Sequence, residues 1–402
     1  MQKFHYEAKD QSTGKVVKSV VQAESEHAAA RTLIEQGFTP INIKSEDDSA
    51  NPLAKLTNRI TSKDKIIFLR QLATLIGAGL PLSQSLRTVI EQTENKRMQT
   101  IVQDVLTEVE GGKSLSSAFR KYPDVFDTII IALVTAGEAS GTLDEALKRV
   151  ATQKEKDAAV VSKIRGAMVY PAIVLLVMLG VMVFMLLTIV PEVESLYDSL
   201  NQELPMLTKI LVTIASFIIS FWWLVLIGVG VSVYFFVQWM RTDSGVRTMD
   251  TLKLNVPLFS GMFRKLYMAR FTRTGQTLLA TGVAMLDMLK ISSESVSNVV
   301  VGDAINRAAE KVKGGKALSS SLENEEYMLI MVPQMIKIGE QSGKIDEMMG
   351  KTAQVYEDEL DNEIKNLTTT LEPLLMVVMA VFVGGMVGAI LFPIYGLVNK
   401  IG

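Results

Sequence analysis

The chain has 402 residues, of which 48% are hydrophobic, and a net charge of −2 at pH 7. This composition is too apolar for an ordinary soluble protein of this length, and it lacks the basic excess of a protein that contacts nucleic acid directly. With no cysteine, disulfides, thiolate catalysis and cysteine-ligated metal sites are excluded. The two histidines, His5 and His27, stand among polar residues, so we expect surface side chains and no metal site.

Residues 1–45 predict a small α+β module. "FHYEA" and "KVVKSVVQA" are typical of short strands, "SEHAAARTLIEQG" predicts a helix that Ser25 caps and Gly37 ends, and "FTPINI" predicts a third strand. The absence of an apolar segment from these residues predicts no cleaved signal peptide. Residues 46–63 are polar and interrupted by Pro52, which predicts a linker.

Residues 64–167 predict a first region of packed helices. Apolar residues recur at helical spacing from Phe68, two glycines end that helix, and Pro81 can begin the next. "KRMQTIVQDVLTEVE" predicts a polar helix, and Ser114 a cap for the short helix "LSSAF". "VFDTIIIALVTAG" is apolar almost all round, which predicts the buried centre of a bundle. Thr142 and Glu145 predict a capping box for the following helix.

Three stretches are long and apolar enough to cross a bilayer, which needs roughly 20 residues of helix. They are residues 168–190, 210–237 and 374–397. Residues 191–209 form a short loop between the first two, and residues 238–373 form a second polar region between the last two.

Charges beside these spans predict their orientation. Lys163 and Arg165 precede the first span, and several basic residues from Arg241 onward follow the second. The loop 191–209 is acidic. Because basic flanks stay in the cytoplasm, both helical regions and the N-terminus are predicted to be cytoplasmic, and the C-terminus external.

The chain repeats itself. "EGGKSLSSAF" from Glu110 aligns with "KGGKALSSSL" from Lys313, and "GEASGTLDE" aligns with "GEQSGKIDE" about two hundred residues later. The same register pairs Pro171 with Pro373, at the starts of the first and third spans. The repeated unit is therefore a helical region plus its following span, with both copies in one orientation.

The repeated turn supplies the candidate site. Ordinary turn chemistry explains the repeated motif if the carboxylate of its glutamate accepts hydrogen bonds from turn amides or from the neighbouring serine, while the last glycine adopts the left-handed conformation. A compatible second interpretation is a contact point for a partner protein, or a hinge. The candidate residues are Gly137, Glu138, Ser140 and Gly141 in the first copy, and Gly339, Glu340, Ser342 and Gly343 in the second.

Two further features have both ordinary and functional interpretations. The acidic run from Tyr356 to Glu363 is typical of a solvated helix face, or else contacts a basic partner. Gly384 and Gly388, four residues apart in the third span, are candidate helix-packing residues for self-association.

With these motifs, the chain resembles the type II secretion protein F family (GspF–PilC type). The resemblance rests on the paired GE-x-SG turns, the two GGK-x-L turns and the proline at the start of two spans, and it covers essentially the whole chain. It implies an all-α membrane protein with two homologous cytoplasmic six-helix bundles, three transmembrane helices and the small N-terminal module.

The resemblance also implies a function without catalysis or cofactors. Members of the family are inner-membrane platform proteins of type IV pilus and type II secretion machines. The implied partners are an assembly or retraction ATPase, pilins or pseudopilins, other inner-membrane components, further copies of the chain and membrane lipid. The chain lacks the G-x-x-x-x-G-K-[ST] loop, so the energy comes from a partner.

Two rival classes remain on the residues alone. A membrane transporter fits the internal repeat, but three spans are few and none carries an ionisable residue. A membrane enzyme fits less well, because the carboxylates are scattered and have no histidine or cysteine near them. The sequence leaves open whether the machine is a type IV pilus, a type II secretion system or a DNA-uptake pilus.

Overall fold

The computed structural model describes residues 2–10, 16–23, 26–35, 37–45, 59–199 and 220–401, with three short pieces at 209–210, 212–213 and 216–217. Most of the predicted linker, the end of the predicted loop 191–209 and parts of the second span lie outside the described residues. The chain divides into two compact units, residues 1–114 and 115–402.

The first unit begins with the α+β module, whose four predicted elements are confirmed. Its strands are β1 (Gln2–Asp10), β2 (Val16–Ala23) and β3 (Phe38–Ser45), and its helix is α1 (Glu26–Glu35). The strands form an antiparallel sheet in the order β2-β1-β3. Ser25, the predicted cap, lies outside the described residues. The fully buried core includes Ala8, Ala29 and Leu33.

Three helices complete the first unit: α2 (Ser62–Gly77), α3 (Leu82–Gln92) and α4 (Lys96–Glu110). A capping box between Thr61 and Asp64 begins α2, and Asn95 caps α4. As predicted, Pro81 lies at the start of α3, where its missing N–H leaves no helix bond unmade.

The regular elements described in the second unit are helices. In chain order they are α5 (Leu115–Phe119), α6 (Thr128–Ser140), α7 (Leu143–Phe184), α8 (Val190–Ser199), α9 (Trp222–Met240), α10 (Asp243–Asn255), α11 (Ser260–Leu279), α12 (Met285–Ser295), α13 (Val299–Lys313), α14 (Leu318–Leu322), α15 (Met331–Ser342) and α16 (Ile345–Ile401).

The helix bounds confirm the duplication. Each of α3, α4 and α5 has the same length as its counterpart α12, α13 or α14. Leu82 and Met285 begin equivalent helices at an offset of 203 residues, and Leu143 and Ile345 do so at an offset of 202. The first repeat is thus α2 to α7 and the second is α11 to α16, six helices in each.

The last helix of each repeat continues without a break into an apolar stretch. Three described segments are long and apolar enough to cross a membrane: Leu143–Ser199, Trp222–Met240 and Ile345–Gly388. Pro171 and Pro373 lie inside α7 and α16, so the soluble helix and the span are one helix. At 1.5 Å per residue, α16 is about 85 Å long.

The helix of the first predicted span, residues 168–190, continues beyond the predicted end of that span. A π-helical turn, Met185–Ile189, follows α7, and α8 then carries the helix past Pro191 to Ser199. Pro191 is the second residue of α8, where the wider turn before it leaves room for the ring and removes the demand for its N–H.

Candidate functional site

The two predicted turns have the same backbone geometry. Gly141 follows α6 with a φ of 73°, and Gly343 follows α15 with a φ of 70°. Both are left-handed, as predicted, and this conformation favours glycine because it has no Cβ. In each turn the backbone N–H of the residue after the left-handed glycine donates a hydrogen bond of 2.9 Å. Its acceptor is the carbonyl of the first glycine of the motif, Gly137 or Gly339.

Glu138 binds the N-terminus of a different helix. Its carboxylate accepts hydrogen bonds from the backbone N–H of Leu115 and, at 3.3 Å, of Ser116. The hydroxyl of Ser116 donates to the same carboxylate at 2.5 Å. The first amides of a helix have no partner within that helix, so Glu138 from α6 caps the short α5.

Glu340 makes the equivalent contact in the second repeat. Its carboxylate accepts from the backbone N–H of Ser319 at 3.1 Å and from the hydroxyl of the same residue at 2.5 Å. Each repeat therefore fixes its fourth helix to its fifth through one carboxylate. A negative charge in the last turn of a helix is unfavourable because it opposes the helix dipole. In α6 and α15 this free-energy cost is offset, since the charge faces the N-terminus of another helix.

The serines of the motif do not bond to the glutamates. Ser140 donates at 2.8 Å to the carbonyl of Ala136, one turn earlier, and Ser342 donates at 2.8 Å to that of Ile338. The predicted bond from serine to glutamate is therefore wrong, because the glutamate faces the short helix and the serine faces its own helix.

The capping box predicted for α7 is also wrong. The hydroxyl of Thr142 lies 2.7 Å from that of Ser140 and makes no capping bond to the helix. With a ψ of 44°, Thr142 is outside the extended conformation from which an N-cap side chain reaches the helix amides.

The first glycine of each motif allows two helices to meet closely. A Cβ at Gly137 would lie 2.6 Å from the Cβ of Ala146 in α7. A Cβ at Gly339 would lie 2.7 Å from the Cα of Ile345 in α16. Sequence reasoning assigned these glycines to the turn alone. The signal it missed is the small residue four positions before the left-handed glycine, in both copies.

The candidate packing residues in the third span are less constrained. A Cβ at Gly384 would meet no atom within 4 Å. Nothing within the described chain therefore requires glycine there, and a role for Gly384 and Gly388 in self-association stays a prediction.

A charged contact joins the two repeats, and we call it the inter-repeat seam: α7 of the first repeat with α11 and α16 of the second. The Glu357 carboxylate accepts from the Arg273 guanidinium at 2.7 and 2.8 Å and from Lys156 at 2.8 Å. Lys163 lies 2.6 Å from Asp361, and Lys265 lies 2.6 Å from Glu363. The acidic run is thus paired within the chain at these carboxylates, which neither interpretation of the run predicted.

Replacing Glu357 with glutamine is expected to destabilise the protein by about 1–3 kcal/mol at pH 7, because Arg273 and Lys156 lose their counter-charge in a largely buried contact. Burial opposes ionisation of Glu357, but hydrogen bonds from Arg273 and Lys156 outweigh it and lower its pKa below the usual 4.5. The stabilisation is therefore complete above pH 4.5 and is lost as pH falls through the lowered pKa.

Thermal unfolding of the detergent-solubilised protein, followed by circular dichroism at several pH values, measures this difference. Glu347→Gln is the matched control, because Glu347, on the same helix as Glu357, pairs only with the exposed Lys344 and Lys351 among the described residues and its replacement should have a smaller effect. Equal effects of the two substitutions would contradict the assignment.

The described residues contain no group of three or more histidine or acidic side chains that could hold a metal ion. The repeated turns and the inter-repeat seam instead position helices relative to one another. Together, the tandem six-helix repeats, each ending in a membrane-length helix, define a duplicated helical membrane protein.

Comparison with known proteins assigns this architecture to a family. Residues 68–191 and 271–393 each match the family described as type II secretion system (T2SS), protein F, and residues 1–44 match that family's N-terminal domain. The chain belongs to the type II secretion system protein F family. This is a family of secretion and pilus components and not a known enzyme family.

Similar proteins come from both kinds of machine. The type IV pilus assembly protein PilC of Pseudomonas aeruginosa is 37% identical over 92% of this chain and 98% of its own. PilC of Thermus thermophilus is 36% identical over 99% of this chain and 98% of its own. The type II secretion system protein F of Xanthomonas campestris is 32% identical over 99% of both chains.

Proposed function

We propose that this protein is the inner-membrane platform of a type IV pilus machine, coupling a cytoplasmic ATPase to the insertion or removal of pilins by protein–protein contacts. The observation that carries the proposal is the full-length similarity to pilus assembly proteins at 33–37% identity, against 30–32% for the type II secretion relatives. A platform of a type II secretion system is the second candidate, since it shares the same architecture.

The architecture suits mechanical coupling. Because α7 and α16 each run without interruption from a soluble repeat into the membrane, displacement of a repeat moves its span as well. The inter-repeat seam, with its ion pairs between Lys156 and Glu357 and between Lys163 and Asp361, connects the two helices before they enter the bilayer. Movement of one repeat is therefore transmitted to the other.

We further propose that the soluble part of each repeat and the N-terminus are cytoplasmic and the C-terminus external, as the flanking basic residues favour. Self-association through the membrane helices completes the proposal. Protease accessibility and reporter fusions within the soluble parts of the first and second repeats test the orientation, and soluble parts on opposite sides of the membrane would overturn it.

The GE-x-SG turns are proposed as partner contacts or hinges through their exposed positions. The carboxylates of Glu138 and Glu340 accept hydrogen bonds within the fold. The residues that follow them, Ala139 and Gln341, are exposed. A photoreactive amino acid at Ala139 or Gln341 in living cells is expected to capture the ATPase, a pilin or a second copy. Lys313, exposed at the end of α13, is the matched control site.

Capture of none of these proteins from either turn, or equal capture from Lys313, would count against the contact. The function itself is tested separately by expressing the gene in a host that lacks its own platform protein. Restored surface pili support the pilus assignment, restored protein secretion alone supports the second candidate, and restoration of neither rejects both.

A further inference from the structure

Two cavities lie in the inter-repeat seam, and they share three lining side chains. One has a volume of about 210 Å³ and lies between α7, α11 and α16. The other, about 280 Å³, extends toward the start of α6 and the end of α12. Gln153 and Asp157 on α7 and Arg270 on α11 line both. These residues are therefore the polar centre of the contact between the repeats.

Gln153 has an unmet hydrogen-bonding requirement. The residue is 5% exposed, and its Oε1 has no hydrogen-bond partner in the described part of the chain. Its Nε2 donates to Asp157 Oδ1 at 3.5 Å, the outer limit of a hydrogen bond. A buried acceptor without a donor is costly, so this site lacks one hydrogen-bond donor.

Asp157 differs from three neighbouring carboxylates of the seam. Glu357, Asp361 and Asp127 each have a basic partner at salt-bridge distance. Asp157 has none among the described residues. Arg270 faces it across the seam but donates its hydrogen bond, at 3.4 Å, to the carbonyl of Val296.

The surrounding charges are mostly paired with one another. Lys154 pairs with Asp127, and Lys156 and Arg273 share Glu357. Burial raises the pKa of Asp157, more than the nearby charges of Arg270 and Lys154 lower it. The charged groups that line the two cavities are Lys154, Lys156 and Lys163 from α7, Asp127 before α6, Arg270 and Arg273 from α11, Glu294 from α12, and Glu357, Asp358 and Asp361 from α16.

We propose that Asp157 is a proton-binding site, and that its protonated carboxyl group donates a hydrogen bond to Gln153 Oε1. One proton, taken from water, supplies the donor that the buried acceptor lacks. A half-turn of the Gln153 amide brings Oε1 to the position that Nε2 occupies beside Asp157. The same half-turn breaks the 3.5 Å hydrogen bond from Nε2 to Asp157 Oδ1 and moves Nε2 to the former position of Oε1.

Proton binding alters the attraction between the repeats. The ionised carboxylate attracts Arg270 on α11, which belongs to the second repeat. The protonated group loses that attraction and bonds within α7 to the residue one turn earlier. The seam thus has two electrostatic states that differ by one proton.

Infrared difference spectroscopy of the full-length protein in lipid nanodiscs detects the proton directly. As the pH is lowered, the wild type is expected to gain the carbonyl band of a protonated carboxylic acid above the pH range in which ordinary carboxylates become protonated. Asp157→Asn should lack the band. Asp358→Asn, which changes an exposed carboxylate of the same cavity, should keep it. A wild type without the band, or a band that survives in Asp157→Asn, overturns the proposal.

Thermal unfolding gives a second readout with a defined sign. Because the folded-state pKa of Asp157 is raised, ionisation of this group costs stability as pH rises. Asp157→Asn should therefore unfold about 2–4 °C above the wild type at about pH 8, with the difference disappearing in acid. An Asn variant that is no more stable at high pH contradicts the proton site.

Gln153→Leu keeps the carboxyl group and removes its acceptor. The infrared band should then titrate at a lower pH than in the wild type. An unchanged titration would reject the role of Gln153. Since this variant retains Asp157, it also tests the site if Asp157→Asn yields no folded protein.

Discussion

Replacement of Gly339 with alanine is expected to lower the free energy of unfolding by about 2–3 kcal/mol, because it overpacks a close backbone contact between two helices of the second repeat. The added Cβ would lie 2.7 Å from the Cα of Ile345, with the backbone N of Ile345 and the carbonyl O of Lys344 both at 3.2 Å. All three are backbone atoms at the start of α16. They cannot rotate away as a side chain could, so α15 and α16 have to separate.

The measurement is thermal or denaturant unfolding of the purified protein in detergent. Gly166→Ala is the matched control, since Gly166 lies within α7 and a Cβ there meets no atom within 4 Å. Alanine favours helix over glycine, so the control should be neutral or slightly stabilising. A Gly339→Ala protein as stable as the Gly166→Ala protein would show that the helix contact is looser than the structure has it.

Glu138→Ala is expected to destabilise the first repeat by about 2–3 kcal/mol, because it removes a charged acceptor from two backbone amides and one hydroxyl. The amides of Leu115 and Ser116 belong to a helix of five residues, which has little stability of its own. We therefore expect α5 to lose its fixed position on α6. Hydrogen exchange of the α5 amides should rise with the loss of stability.

Glu145→Ala is the control for this prediction. Glu145 is an acid on the next helix, it is exposed, and its one recorded ion pair is a distant 3.9 Å contact with Arg149. Its removal should change stability by less than about 0.5 kcal/mol. If both substitutions have the same small effect, the carboxylate of Glu138 is not what holds α5.

The sequence predicted the features that depend on local pattern and on duplication. The offset between the copies predicted a second helical region equivalent to the first, because the repeated motifs contain the glycines, prolines and caps at which helices begin and end. The left-handed conformation of Gly141 and Gly343 was predictable for the same reason. The three apolar stretches followed from length and composition alone.

Features that depend on contacts distant along the chain were not predictable in this way. The partner of Glu138 lies more than twenty residues earlier, on a helix whose sequence alone gives no reason to approach it. Likewise the acidic run suggested an exposed surface, because its basic partners are scattered over α7 and α11. The hydroxyl of Thr142 contacts the hydroxyl of Ser140 and not a helix amide. A sequence motif alone does not show which of these two contacts forms.

The two helices that carry the repeats into the membrane differ in torsional stiffness. α16 is an uninterrupted α-helix of 57 residues, so a twist applied to its soluble end reaches its outer end almost undiminished. The path through α7 instead contains a five-residue π-helical turn, where the hydrogen-bond ladder is rearranged and twist can be absorbed. An equal rotation imposed on the two repeats would therefore turn the third span through a larger angle at its far end than the first, although both helices come from one duplicated unit.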